Sequence, residues 1–384
     1  MEVRQIDISV VIPTYNEAEN LPMLVEKLSL VLKDFSYEIV VVDDNSPDKT
    51  WEVADNLSSQ YPVRMIRRFT EKGLSSAVMV GMASSHGKIF TVIDADLQHD
   101  ERIIPKMYDA LTKSGADIAI GSRAVLGGSY GDWSKRRRFM SMVATTMAKT
   151  LLRVKITDPM SGFFSITREC FNKTAEKINP RGFKILLEFV GRNKDLKIKE
   201  IGYTFRNRVF GETKLSASEI RNYLIALYDI RFGKYIPPIF FLYSLVGVSG
   251  VFVNLSFFKL GEFLGFPRIY TGISEFIDPV YTAVPFGYQM AIFTNYYLNN
   301  TFTFYEKRKK GFRAFLAGFL MFQLVSLFGL FIQTGVFQLL HINGFLYGAF
   351  AEEWRALFNN ACGIVVALVS NYYLNMNFTW GRRN

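Results

Sequence analysis

Cysteine is scarce: two in 384 residues, Cys170 and Cys362, far apart along the chain. That excludes both a disulfide framework and a cysteine-based metal cluster. No Gly-x-Gly-x-x-Gly and no P-loop lysine motif follows any apolar run, so the glycine cradles of dinucleotide enzymes and P-loop ATPases are missing. Any phosphate must then be neutralised by a metal and by Arg or Lys. A secretion signal is also lacking, because Met1 to Asp7 is polar and Ile8 to Ile12 is too short for a signal core. The first domain is therefore expected to stay where it is made. Charge itself becomes sparse after Tyr235.

In place of charge stand four apolar runs: about 236–258, 279–304, 315–340 and 357–380. Each approaches or exceeds the ~20 residues that cross a bilayer as a helix. Lys307 to Lys310 and Arg313 lie between the second and third runs, and Arg382 and Arg383 follow the fourth, whereas Glu275, Asp278, Glu352 and Glu353 occupy the opposite loops. The bias of basic residues predicts a multi-pass protein of the cell membrane, with the first domain and both termini cytoplasmic. The net charge of +10 is concentrated near the membrane entry points and suits anionic lipid, not nucleic acid. A repeat is visible as well. Ser-Asn-Tyr-Tyr-Leu-Asn from Ser370 echoes Thr-Asn-Tyr-Tyr-Leu-Asn from Thr294, and Ser249 to Phe252 echoes Thr334 to Phe337. A two-helix hairpin has been duplicated.

Residues 1–232 read differently. Apolar runs at 8–13, 37–42, 63–66, 88–93 and 117–120 alternate with helical spacing at 19–35, 73–85 and 101–112. Strands alternating with helices predict an α/β domain with a mostly parallel, Rossmann-like sheet. Ligands of such sheets sit beyond the strands' carboxyl ends. Every acidic cluster falls there: Glu17, then Asp43 and Asp44, then Asp94 and Asp96. Hard divalent cations take one or two carboxylates, with phosphate and water as further ligands. Asp94 and Asp96 can share such a site only if the chain turns between them. Two basic or polar amphipathic helices follow, about 135–153 and 216–232, and are expected in the membrane interface plane.

Together the motifs Val-Val-Ile-Pro-Thr-Tyr-Asn-Glu, Val-Val-Asp-Asp-Asn-Ser and Asp-Ala-Asp-Leu-Gln-His resemble those of the family-two inverting glycosyltransferases, which share the GT-A fold. Asp-Pro-Met-Ser-Gly-Phe-Phe at Asp158, Gly-Phe-Lys-Ile-Leu-Leu-Glu at Gly182 and the Arg208–Lys214 stretch narrow the resemblance to the dolichyl-phosphate mannose synthases. Residues 233–384 are similar to the four-helix GtrA-like membrane module. The resemblance implies transfer of mannose from GDP-mannose to dolichyl (polyprenyl) phosphate, with Mg²⁺ or Mn²⁺ as cofactor and membrane lipid as partner. It puts Pro13, Tyr15, Glu17, Val42 and Asp44 at the base and ribose, and Asp94, Ala95, Asp96 and Gln98 at the diphosphate. Asp96 and Gln98 are the implied metal ligands. Arg123, Lys184, Arg208 and Lys214 would meet donor phosphates or sugar, and Arg137 and Ser141, with Arg123 and Arg208, the acceptor phosphate. Asp94, Asp96, Arg123 and Arg208 form the implied catalytic set. Two alternatives stay open: a UDP-glucose-dependent polyprenyl-phosphate glucosyltransferase, and a membrane module that flips the lipid-linked sugar. A processive polysaccharide synthase would need a Gln-x-x-Arg-Trp motif, which is missing.

Overall fold

All seven residues of β1 (Ile8–Thr14) are buried, as an apolar run in the middle of a parallel sheet requires. The computed structural model describes residues 5–180, 184–208, 217–270, 280–343 and 352–381. The chain forms two compact units, Met1–Tyr235 and Ile236–Asn384.

In the first unit, β1 is joined by β2 (Tyr37–Asp43), β3 (Val63–Arg67), β4 (Ile89–Val92), β5 (Ile118–Ser122), β6 (Phe164–Thr167) and β7 (Ile198–Gly202), in the spatial order β3-β2-β1-β4-β6-β5-β7. Four pairings are parallel; β6 alone runs antiparallel, against both β4 and β5. Strand order reverses beside β1, between β2 and β4, and that opens a crevice at their carboxyl ends. Helices α1 (Leu21–Val31), α2 (Thr50–Leu57), α3 (Leu74–Ser84) and α4 (Ile104–Thr112) cover the sheet, followed by α5 (Lys135–Leu152), α6 (Arg168–Thr174), α7 (Ile185–Arg192) and α8 (Ala217–Phe232). One core packs Leu24, Leu28 and Met107 against Ile8, Val10 and Ile12. A second packs Val78, Met82, Phe171 and Phe189 against Val11, Phe90 and Phe164.

The expected strands and helices up to residue 122 are present, although α1 is shorter than 19–35 and caps at Leu32. β6, β7 and helices α2, α6 and α7 go beyond the sequence reading. α5 and α8 also bury one stripe of each against the other. Ala148, Leu152, Tyr223 and Leu227 pack together, and the Tyr223 hydroxyl donates to the Ala144 carbonyl at 2.5 Å. Phe139, Met142, Val143, Met147, Ile220 and Leu224 stay exposed.

The second unit contains α9 (Pro238–Phe263), α10 (Ala283–Leu298), α11 (Phe312–Ile342) and α12 (Glu352–Leu374). Among the described residues, three helical stretches, Pro238–Phe263, Phe312–Ile342 and Trp354–Thr379, are long and apolar enough to cross a membrane. α10 has 16 residues and runs into a π-helical turn, Asn299–Thr303, repeated after α12 by Asn375–Thr379.

Two antiparallel helices approach most closely where glycine leaves room. A Cβ on Gly250 would lie 2.5 Å from the Asn295 carboxamide, and one on Gly329 would lie 2.3 Å from that of Asn371. Gly287 meets the Asn254 carbonyl and Gly363 that of Gln333 in the same way. The repeat therefore equates Gly250 with Gly329. The expected partner, Gly335, has nothing within 4 Å. The motif around Ser249 misled because Gly-Val-Phe recurs by composition, whereas the packing contact recurs by position.

The two hairpins meet in an aromatic layer. Trp380 is fully buried, stacks on Phe304 at 4.2 Å, and donates from Nε1 to Asn300 Oδ1 at 3.0 Å. Tyr243 packs on Tyr372 at 5.6 Å, as Phe322 packs on Tyr296 at 5.7 Å. Asn375 donates to the Tyr243 hydroxyl at 3.0 Å and accepts from Thr379 at 2.6 Å. In the other copy Phe322 offers no hydroxyl, and Asn299 Oδ1 and Thr303 Oγ1 are buried without partners among the described residues.

Candidate active site

The crevice residues come from the ends of three parallel strands. After β1 and β2 the chain turns at Asn16 and Asn45, with φ of 61° and 55°, a left-handed conformation that Asn tolerates well. Of the two acids ending β2, Asp43 is spent on the loop: it accepts from Ser46 N, Ser46 Oγ and Thr14 Oγ1. Asp44 reaches the crevice, held by Arg68 and by the Gly73 amide at 2.7 Å.

Beyond β4 the turn that Asp94 and Asp96 need is made by Leu97, whose φ is 62° although it is only 4% exposed. A bulky residue held there costs on the order of 1–3 kcal/mol, a strain found at functional turns. Both carboxylates now line one cavity of about 220 Å³, with Pro13, Thr14, Tyr15, Glu17, Asp44, Leu74, Ala77, Ala95 and Arg208. Gly162, just before β6, is essential to this geometry, because a Cβ there would lie 2.9 Å from Asp94 Oδ2.

Burial, reinforced by the neighbouring Asp96 charge, pushes the Asp94 carboxyl up to about 7. Two crowded carboxylates favour a cation between them. His99 is buried and stacked on Phe163 at 5.2 Å. Its Nδ1 faces the Asp94 amide at 3.3 Å, which assigns the ring proton to Nε2, 3.9 Å from Asp94 Oδ2. Burial holds His99 down to about 4, so the ring is neutral at pH 7. Gln98 Nε2 donates to the Arg206 carbonyl at 3.1 Å, while Arg206 N returns a bond to the Gln98 carbonyl at 2.9 Å. That leaves the carboxamide oxygen as Gln98's acceptor atom. The Arg206 guanidinium bonds Asp100 and Glu101 at 2.7 and 2.8 Å.

The basic residues divide by partner. Arg208 donates to Asp96 Oδ2 at 2.8 Å. Arg123 is 8% exposed and makes a two-pronged pair with Asp158, both bonds 2.7 Å, boxed by Tyr130, Trp133 and Phe205. Arg137 lies 3.9 Å over the Trp133 ring and has no carboxylate partner among the described residues. Burial, then the charges of Arg123 and Arg208, lower its pKa. Ser141 follows one turn later on the same helix, half-buried. Burial and Arg123 bring Lys184 down to about 8, with Asp94 and Asp158 opposing; its Nζ reaches the Met160 carbonyl at 3.4 Å.

The structure thus gathers Pro13, Tyr15, Glu17, Asp44, Asp94, Ala95, Asp96 and Arg208 around one cavity. Val42 is fully buried beside Ala77 in the core and does not line it. Gln98, Arg123 and Lys184 are close by without forming its wall, and Lys214 lies outside the described residues. Sequence reading missed Arg68, Gly73, Trp133, Gly162 and the pairing of Arg206. Each acts on a residue at least 24 positions away along the chain, apart from Trp133, and leaves no local pattern.

A parallel-sheet crevice lined by paired acids and by Arg208 suits a glycosyltransferase. Residues 9–174 match the family described as glycosyl transferase family 2, and residues 242–352 match the GtrA/DPMS transmembrane domain. The chain is 38% identical to the dolichol-phosphate mannosyltransferase of Pyrococcus furiosus, over 97% of this chain and 99% of that one. It is 36% identical to the enzyme of that name from Saccharomyces cerevisiae, over 60% of this chain and 89% of the relative. With the polyprenol monophosphomannose synthase of Mycolicibacterium smegmatis it shares 34%, over 58% and 86%. The chain belongs to the dolichol-phosphate mannosyltransferase family, a glycosyltransferase domain joined to a GtrA-type membrane domain.

Proposed function

We propose that the protein transfers mannose from GDP-mannose to a dolichyl or other polyprenyl phosphate, with inversion at the sugar carbon. One observation carries the reading: Asp94, Asp96 and Arg208 line one cavity, and Arg137 lies within charge range of Asp96, Arg208 and Arg123. Carboxylates facing arginines suit a metal-bound diphosphate meeting an anionic acceptor. Pro13, Tyr15, Glu17 and Asp44 take the base and ribose, and Lys184 and Lys214 approach the phosphates or sugar.

The residues present fit Mg²⁺ or Mn²⁺. Asp94 and Asp96 raise each other's demand for positive charge, Arg208 already places a cation on Asp96, and Gln98 keeps an oxygen acceptor. Asp96 and Gln98 would hold the ion, which would neutralise the charge gathering on the leaving diphosphate. The acceptor phosphate, with a second pKa of ~6, is ionised near neutral pH. Its oxygen attacks the anomeric carbon as the bond to the diphosphate breaks, and no general base is required. Arg137 and Ser141, with Arg123 and Arg208, position that phosphate. Arginine's planar fork suits the role.

The exposed apolar residues of α5 and α8 lie in the headgroup region of the bilayer, and the second unit crosses it several times, with both termini cytoplasmic. The decisive experiment follows lipid product from GDP-mannose and, separately, from UDP-glucose with dolichyl phosphate in detergent, with and without chelator. Chelator-sensitive product from the guanosine donor alone supports the whole reading. Product from UDP-glucose alone overturns the donor assignment, and no product from either overturns the activity.

A further inference from the structure

The Trp133 side chain packs against the core that holds Ile8, Val10 and Ile12, directly before Ser134, the N-cap of α5. Phe205 meets its ring nearly edge-on, 5.6 Å away at 81°, and Tyr130 lies 5.2 Å away. Nε1 is buried without a hydrogen-bond partner among the described residues, so the indole serves through its ring alone. Two guanidiniums use that ring: Arg137 at 3.9 Å from its centre and Arg123 at 5.0 Å.

Nearby charge is mostly against Arg137. The first turn of α5 carries Lys135, Arg136, Arg137 and Arg138 and no acid, at the positive end of the helix dipole, where cations are disfavoured. The charges of Arg123 and Arg208 oppose it as well, and Asp96 favours it. Ser134 Oγ accepts from the Arg137 amide at 3.3 Å, which fixes the backbone and not the guanidinium. Arg123 and Arg208 are held differently, each by a carboxylate, Asp158 and Asp96. A carboxylate would hold Arg137 too, but its negative charge would repel an incoming phosphate. An indole face attracts a guanidinium through its quadrupole and carries no net charge. The arginine is thus held with its own charge unspent. We propose that Trp133 is a positioning residue: its ring face keeps the Arg137 guanidinium beside Arg123 and Arg208, and so fixes where the acceptor phosphate binds. The inference rests on the proposed acceptor role of Arg137.

Steady-state kinetics with dolichyl phosphate, beside GDP binding with Mn²⁺, test this on the full-length, detergent-solubilised protein. Trp133→Leu keeps apolar bulk and loses the ring face. Its KM for the lipid phosphate is expected to rise about tenfold, the scale of a partly desolvated cation–π contact, with GDP affinity within about twofold of wild type. Trp133→Phe keeps a smaller ring, and its KM should rise no more than about threefold. In an Arg137→Ala background, Trp133→Leu should raise KM no further, because the ring acts through that arginine. A wild-type KM in Trp133→Leu overturns the inference. So does equal loss in the Phe and Leu variants, which would make bulk the contribution, or the same rise with and without Arg137. If Trp133→Leu also loses GDP binding, Trp133→Met takes its place in the cycle; loss of GDP binding in both would make Trp133 a residue of the fold and overturns the inference too. An unchanged KM in Arg137→Ala alone overturns the acceptor role of Arg137 itself, and is read independently of any Trp133 variant.

Discussion

Arg208 and Asp96 are bonded at 2.8 Å, so the carboxylate assigned to a metal already holds a cation. Metal and arginine therefore compete for one oxygen. In Arg208→Ala, Mn²⁺ affinity is expected to rise about tenfold, since removing a charged hydrogen bond of about 1.5–3 kcal/mol frees the ligand. Turnover should fall at least a hundredfold with loss of charge stabilisation, on the order seen for oxyanion donors. Mn²⁺ titration beside a steady-state assay measures both. Unchanged affinity would show that the contact does not limit metal binding.

Arg137 carries the proposed acceptor role because it is the cluster member without a carboxylate partner among the described residues. Arg137→Ala should raise KM for the lipid phosphate about 10- to 100-fold, the range for a charge-assisted bond, with GDP-mannose affinity nearly constant. Arg137→Lys should recover little, since an ammonium lacks the planar fork that stacks on Trp133. Equal loss of donor and acceptor binding would sink the assignment.

Arg123 supports the fold whatever else it does. Arg123→Ala leaves Asp158 buried and unpaired, an expected loss of about 3–5 kcal/mol. Arg123→Met with Asp158→Leu removes both charges and should recover most of it. Thermal unfolding of the single and double variants decides; equal stability of the two would argue against a buried-charge penalty.

His99 predicts the acid limb of stability. Its folded pKa, about 4, is below the ordinary 6.5 of an unfolded chain. The unfolded state therefore binds the extra proton between those values, and stability falls as pH drops from 6.5 toward 4. The full effect is at most ~3 kcal/mol. His99→Phe keeps an aromatic ring on Phe163 and should flatten the dependence of Tm between pH 7 and 5. A slope identical to wild type would assign the acid loss to other groups.

Gly162→Ala isolates the geometry of Asp94. The added methyl meets Asp94 Oδ2 and must displace the carboxylate. Activity should fall at least tenfold, while Tm moves by a few degrees, since the atom displaced is the end of a side chain open to the cavity. Wild-type kcat in this variant would remove Asp94 from the reacting centre.

Much of the site was legible because its acids end apolar runs. Burial on both faces makes such strands continuous in sequence, and topology puts their ends together. Asp44, Asp94 and Asp96 could therefore be placed in one crevice from local pattern alone. What aims them could not. Arg68 reads as one more basic residue after β3, and Leu97 as an ordinary leucine, until backbone angles and partners are known. The resemblance put Arg123 on substrate phosphates; the buried Asp158 that pairs with it lies 35 residues on. In the second unit, one extra residue per turn makes a π-helix without any mark in composition, so the Asn299 and Asn375 turns were read as plain helix.

The unequal partners of Asn299 and Asn375 bear on how the second unit arose. Two identical hairpins associating as separate chains would carry every substitution twice, once on each side of the axis. A hydroxyl present at Tyr243 and missing at Phe322 is impossible in such an assembly. Joining the copies in one chain released each from its twin. One side has a closed set of hydrogen bonds, and on the other Asn299 Oδ1 and Thr303 Oγ1 are buried without partners among the described residues. The aromatic layer is thus where a single chain lets its two halves differ, with Tyr243 on one side and Phe322 on the other.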